Sequence, residues 1–179
     1  MDPEKIEKGI LLLLEGIGED IKREGLKDTP RRVAKMYTEI LDGMNKEPKL
    51  KSGFAEEISS DNFILIKDIL FYSVCEHHLL PFFGKVDILY IPQNNLVAGF
   101  SNLVEIVENY SHRLQIQERL TNQIADAINE SLNPKGVAIV LEATQLCVCM
   151  RGKHSGNIKT ITRAIRGEIS GEQIPSNFL

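Results

Sequence analysis

Cysteine is scarce in this chain of 179 residues: there are three, an odd number, and they are not spaced as a disulfide framework. That excludes the small disulfide-stapled class and points to a reducing compartment, the cytoplasm, where thiols stay free to bind metal. Long apolar runs are also missing. The longest leucine run, Leu11 to Leu14, is flanked by Lys5, Lys8, Glu15 and Glu19. It is too short to span a membrane and lacks a signal-peptide cleavage pattern. Nor is there an excess of positive charge. At a net charge of -4, nothing in the composition favours nucleic acid or an acidic membrane as a partner, and an anionic substrate needs a local cationic pocket. Internal repeats and low-complexity tracts are absent as well.

What is present is the composition of a globular enzyme-sized domain, with 42% hydrophobic and 26% charged residues. That length supports one main domain with a helical appendage. From Pro3 to Ile21, Ile6, Ile10, Leu13, Leu14 and Ile17 recur at threes and fours, which predicts an amphipathic helix. Thr29 then reads as an N-cap and Pro30 as the first residue of a second helix, whose apolar stripe is Val33, Met36, Tyr37, Ile40 and Leu41. After a polar connection from Asn45 to Ser60, the runs Asn62 to Val74 and Phe82 to Ile91 read as neighbouring antiparallel strands.

Ser101 is placed to cap a further helix, and Ile116, Leu120, Ile124, Ala127, Ile128 and Leu132 form the buried stripe of the next. Val137 to Glu142 and Cys147 to Arg151 read as one bent strand, and Lys159 to Ile169 as the last, after a loop from Lys153 to Asn157. The pattern predicts an α+β fold. An N-terminal helical portion (1–60) precedes an antiparallel sheet domain (61–179) with helices laid on the sheet.

The densest chemistry lies in Cys75-Glu76-His77-His78. A thiolate and a neutral imidazole three residues apart are donors that a borderline-soft cation such as zinc favours. The remaining thiols, Cys147 and Cys149, lie far downstream in Gln145-Leu146-Cys147-Val148-Cys149-Met150-Arg151. Three protein donors with one open position is the pattern of a catalytic zinc rather than a structural one. The plainer reading of the same residues is buried thiols and surface imidazoles. On a regular strand Gln145, Cys147 and Cys149 would share one side, which brings Cys149 towards the metal; as a core residue it would play no part there.

Several stretches together resemble the GTP cyclohydrolase I family of the tunnelling-fold superfamily. They are Gly18-Glu19-Asp20 to Leu26, Asp28-Thr29-Pro30-Arg31-Arg32-Val33-Ala34, Phe71 to Phe82, Gln115-Ile116-Gln117-Glu118-Arg119-Leu120 and Glu142-Ala143-Thr144. The resemblance implies a tunnelling fold whose subunits join their sheets into a barrel, as a homodecamer of two pentamers. It implies hydrolysis of GTP at C8, with release of formate and formation of 7,8-dihydroneopterin triphosphate. Carried over by position, Cys75, His78 and Cys147 ligate Zn2+, which activates water, and His77 passes protons to the ring nitrogens. Gln117 and Glu118 fall where the family reads guanine, Arg151 where it holds phosphate, and Ser101 where a serine bonds the substrate.

The chain departs from the family pattern at three other positions. Gln145 stands where the family has a second catalytic histidine, and an amide does not titrate near neutral pH. Asn102 and Glu105 replace a lysine and an arginine beside the triphosphate, leaving Lys153, His154, Lys159 and Arg163 as the nearby cations in the sequence. Three readings follow: a GTP cyclohydrolase I that tolerates the changes; a paralogue that acts on a less phosphorylated purine or pterin, or stops at a formamidopyrimidine; and a noncatalytic purine or pterin binder that assembles with an active homologue.

Overall fold

An aspartate followed by a proline opens the first helix. In the computed structural model, which describes residues 1–48, 53–56, 62–151, 156, 158–169 and 178, the Asp2 carboxylate accepts from the Lys5 N–H at 3.1 Å and Pro3 begins α1 (Pro3–Gly16). The helix ends earlier than the apolar periodicity predicts. Gly18 takes φ +84°, and the N–H groups of Gly18 and Glu19 close back on the carbonyls of Glu15 and Leu14, a Schellman ending that the lack of a Cβ permits. In α2 (Thr29–Ile40) the cap is Asp28, so Thr29 is already helical and its hydroxyl donates to the Gly25 carbonyl. The chain divides into two compact units, Met1–Asp42 and Gly43–Leu179. The first consists of α1, α2 and the turns around them.

A 3-10 turn at Asp42–Asn45 leads into the second unit, where two-residue strands β1 (Phe54–Ala55) and β4 (Leu96–Val97) pair with each other. The main sheet contains β2 (Ile64–Cys75), β3 (Pro81–Ile91), β5 (Leu114–Gln115), β6 (Gly136–Gln145) and β7 (Lys159–Gly167), in the order β5-β2-β3-β6-β7. The four long strands run antiparallel as predicted, while the short β5 adds itself parallel to the end of β2 at Val74 and Cys75. A bulge at Lys67 and Asp68 shifts the β2–β3 register, with Asp68 at φ +62° and its N–H held by the Asp87 carboxylate at 2.8 Å.

Helices α3 (Phe100–Ser111) and α4 (Gln117–Leu132) are laid on one face of this sheet. Alternation decides which side chains meet them: Phe71, Phe82, Val86, Ile88, Tyr90, Val137, Ile139 and Leu141 point inward. Leu120, Ile124 and Ile128 of α4 recur at fours and are fully buried against them. Each such side chain contributes about 1.5–3 kcal/mol of transfer free energy. On the opposite face Leu70, Tyr72, Phe83, Ile161 and Ile165 stay exposed.

Two local expectations change. Ser101 is the second residue of α3 and not its cap; Gly99, in an extended conformation, holds that position. Cys147 to Arg151 is not strand. After Gln145 the chain turns into one helical turn, α5 (Leu146–Cys149). The reason lies in β3: Gln145 pairs with Phe82, and the preceding residue, Pro81, has no N–H to extend the ladder. The alternation of Gln145, Cys147 and Cys149 is therefore lost. The predicted loop residues Lys153 and His154 lie outside the described residues.

Candidate functional site

The inward end of β2 carries the first metal donor. Cys75 is its last residue and is 5% exposed. Its N–H donates to the Leu80 carbonyl at 2.9 Å and its own carbonyl accepts from Leu79 at 2.9 Å, which closes the tight turn that carries Glu76, His77 and His78. Leu79 sits at φ +54° to make that closure. The turn is pinned a second time by the Glu76 N–H, which donates to Gln115 of β5 at 3.0 Å. His77 and His78 themselves are exposed, with ring centroids 6.4 Å apart.

The turn into α5 brings Cys147 to the same place. The ligand atoms of Cys75, His78 and Cys147 all lie within 4.8 Å of one another. In a tetrahedral zinc site the donors sit roughly 3.5–3.8 Å apart, given Zn–S and Zn–N bonds of about 2.3 and 2.0 Å, so small rotamer changes bring these three to ligation. Their chemistry also calls for a cation. Burial pushes the Cys147 thiol up, and the neighbouring Cys75 adds to that shift by hydrogen bond and charge. Two adjacent thiolates are stable only with positive charge between them. The donor set thus fits zinc, with a fourth position left for water or substrate. Cys149 is not a member of the cluster; its sulfur faces the Ile158 carbonyl at 4.0 Å.

Helix α4 begins beside this centre, and its first three residues point three ways. Gln117 is 3% exposed. Its Nε2 donates to the carbonyls of Leu141 (3.0 Å) and Thr160 (2.9 Å), and its Oε1 accepts from Gln145 Nε2 at 2.7 Å. Glu118 is exposed. Arg119 makes a two-pronged ion pair with Glu76, Nη1 to Oε2 at 2.6 Å and Nη2 to Oε1 at 3.0 Å. That guanidinium holds the Glu76 carboxyl below its ordinary value and is itself raised in return. Glu76 also lies 3.9 Å from His77 Nε2.

The other expected residues are more dispersed. Arg151 is exposed just after α5, near enough for its charge to oppose the upward shift of Cys147. Ser101 lines a separate cleft of about 800 Å³ together with Lys46, Glu47, Glu105 and Glu108. It is a large cleft, yet none of Cys75, His78 and Cys147, and no residue of α4, lines it. Donor chemistry, rather than size, marks the site. Sequence reasoning missed two parts of it: the Glu76–Arg119 pair and the Gln117–Gln145 contact. Their partners are remote in sequence, and only the opposite charges within two of the recognised stretches hinted at the first.

A family model described as GTP cyclohydrolase I matches residues 6–178. Over 169 residues the chain is 53% identical to a GTP cyclohydrolase 1 of Carboxydothermus hydrogenoformans, covering 93% of this chain and 87% of that protein. Over 168 residues it is 51% identical to a GTP cyclohydrolase 1 of Streptococcus mutans, covering 93% and 86%. Among solved structures, the apo form of the archaeosine synthase QueF-Like superposes with a TM-score of 0.52 at 18% identity, over 64% of this chain and all of that one. That likeness speaks for the fold alone.

Proposed function

The chain belongs to the GTP cyclohydrolase I family and is an enzyme acting on GTP, and from that premise we propose how its residues divide the work. The observation that carries the proposal is the convergence of Cys75, His78 and Cys147 beside the first turn of α4. Those three residues would hold zinc. Bound there, zinc supplies a Lewis acid and lowers the pKa of water.

Glu118 receives the guanine, its carboxylate accepting from the ring N–H and the exocyclic amine. His77 has no place in the donor cluster and is exposed beside it, so its imidazole is available to move protons to and from the ring nitrogens as the C8 bonds break. Gln145 donates to Gln117 and does not titrate, so it orients and does not shuttle protons. Arg151 holds phosphate as a fixed cation. Formate leaves from C8, and the ribose carbons close the pterin ring of 7,8-dihydroneopterin triphosphate.

The active assembly is a homodecamer of two pentamers. Two features support association of copies: the exposed apolar side chains Leu70, Tyr72, Phe83, Ile161 and Ile165 on the outer sheet face, and the open edge of β7. In such an assembly the Ser101 hydroxyl reaches substrate from a neighbouring copy. The free thiols of the site suit a cytoplasmic setting. Among the described residues no helix is long and apolar enough to cross a membrane.

The test is to incubate zinc-loaded protein with GTP, GDP, GMP and guanosine in parallel, reading formate and the pterin absorption spectrum. Formate and a pterin from GTP, lost on chelation and restored by zinc, is the expected result. A zinc-loaded protein that releases no formate from GTP contradicts the proposal.

A further inference from the structure

The turn that carries His77 and His78 is exposed, and exposed turns are the most mobile parts of a fold. A catalytic metal needs the opposite, since its donors must be held to fractions of an ångström. Cys147 poses the same problem from the other side, because it lies on a single helical turn, α5, beyond the last paired residue of β6. Cys75 ends strand β2, but neither His78 nor Cys147 lies on a long element of its own.

Both are tied to one element. Arg119 grips the first segment through Glu76, and the two parallel contacts, at 2.6 and 3.0 Å, fix orientation as well as distance. With the Glu76 N–H on Gln115, the residue between Cys75 and His77 is anchored at both backbone and side chain. Gln117 grips the second segment through Gln145 at 2.7 Å. The polarity of that contact is set by the fold. The Gln117 Nε2 lies between two backbone carbonyls, so its Oε1 must face Gln145, and Gln145 must offer its N–H. Between these two grips stands Glu118.

We propose that the first turn of α4 is the positioning element of the metal centre. Arg119 acts through Glu76 on the turn bearing Cys75 and His78, and Gln117 acts through Gln145 on the segment bearing Cys147. Glu118 is thereby held in register with the donors. The inference rests on the reading of Cys75, His78 and Cys147 as zinc ligands. Gln117, Glu76, Gln145 and Arg119 are positioning residues and do not ligate metal; the donor cluster includes none of them. A surface ion pair such as Glu76–Arg119 adds little to global stability, so its loss is felt in the geometry of the site and not in the fold.

The experiment follows zinc release from the zinc-loaded full chain to the chromogenic chelator 4-(2-pyridylazo)resorcinol, which needs no turnover. Wild type is compared with R119L, R119K, E76Q and Q145L, alongside melting curves and steady-state kinetics with GTP. Outer partners of metal ligands typically change metal affinity by about 10–100-fold, so R119L and Q145L should release zinc faster by about that factor. R119K should fall between, because an ammonium cannot reproduce the fork. The fall in kcat should exceed any change in KM, since the metal and not the base site is displaced.

If R119L melts early, E76Q and R119K carry the comparison, as they preserve the size of the side chain. Zinc release at the wild-type rate in R119K, E76Q and Q145L would overturn the proposal while leaving the reading of the ligands in place. Wild type that takes up no zinc would overturn both. Normal zinc uptake with no formate from GTP would remove the assigned reaction and leave the positioning role standing.

Discussion

Glu118 offers the sharpest test of how this site reads its substrate. The first turn of α4 is fixed from all sides: Gln117 is held by Leu141, Thr160 and Gln145, Arg119 by Glu76, and the Glu118 carbonyl by Asn122 Nδ2 at 2.8 Å. Among the described residues the Glu118 carboxylate forms no ion pair, and it is exposed at the start of α4. Two charge-assisted hydrogen bonds to guanine would contribute about 1.5–3 kcal/mol each. The carboxylate is exposed before substrate arrives and must shed water, which brings the net to about 2–4 kcal/mol. Replacing Glu118 with Gln keeps the shape but leaves one acceptor, so about half of that net is lost and kcat/KM for GTP should fall by about 5- to 30-fold. The companion assay uses inosine triphosphate, which lacks the exocyclic amine. Wild type should prefer GTP by about tenfold or more, and E118Q should lose most of that preference. An E118Q enzyme within about threefold of wild type on GTP, with the same discrimination, would refute this role.

Other consequences can be checked independently. Gly84 in β3 has no space for a side chain: a Cβ there would stand 1.9 Å from the Glu142 carbonyl oxygen and 2.8 Å from the Ala143 Cα. Both are backbone atoms in the adjoining strand, so G84A should destabilise by about 3 kcal/mol or more in urea unfolding, and an unchanged midpoint would put the β3–β6 register in error. Tyr90 is fully buried, accepts from the Ala98 N–H at 3.1 Å, and is pushed up by burial. Its contribution is therefore complete below the ordinary tyrosine pKa of about 10 and is lost as pH rises through the higher folded value. Y90F should cost about 1–3 kcal/mol at neutral pH by orphaning that N–H and should flatten the alkaline loss. In the acidic cleft beside Ser101, E105K should lower the KM for GTP several-fold at low salt and less at high salt; no change in KM would place the triphosphate elsewhere.

The sequence made the long elements legible because their signals are redundant. Ile124 and Ile128 of α4 are fully buried, and β2, β3, β6 and β7 form the antiparallel ladder that their apolar runs predict. The donor set was legible for a different reason: thiols and imidazoles are few, and Cys75, His78 and Cys147 do converge. The local endings were not. Gly18 stops α1 through a positive φ, and Pro81 ends the ladder on which Gln145 lies, so that Cys147 sits on a helical turn. Both depend on backbone closure rather than on periodicity. The ties from α4 were invisible too, because Arg119 and Glu76, like Gln117 and Gln145, meet only after the sheet has formed. The substitutions at Gln145, Asn102 and Glu105 raised the prospect of a different substrate. Membership of the family, at about half identity over nearly the whole chain, favours the first of the three readings.

The point to test is whether this chain, with an amide at position 145, removes C8 of GTP. The direct measurement is carbon NMR of GTP labelled with carbon-13 at C8, incubated with the zinc-loaded enzyme. The label is expected in free formate as the pterin accumulates. Label that stays in the nucleotide, or rests in a formamide on a ring-opened nucleotide, would contradict that expectation.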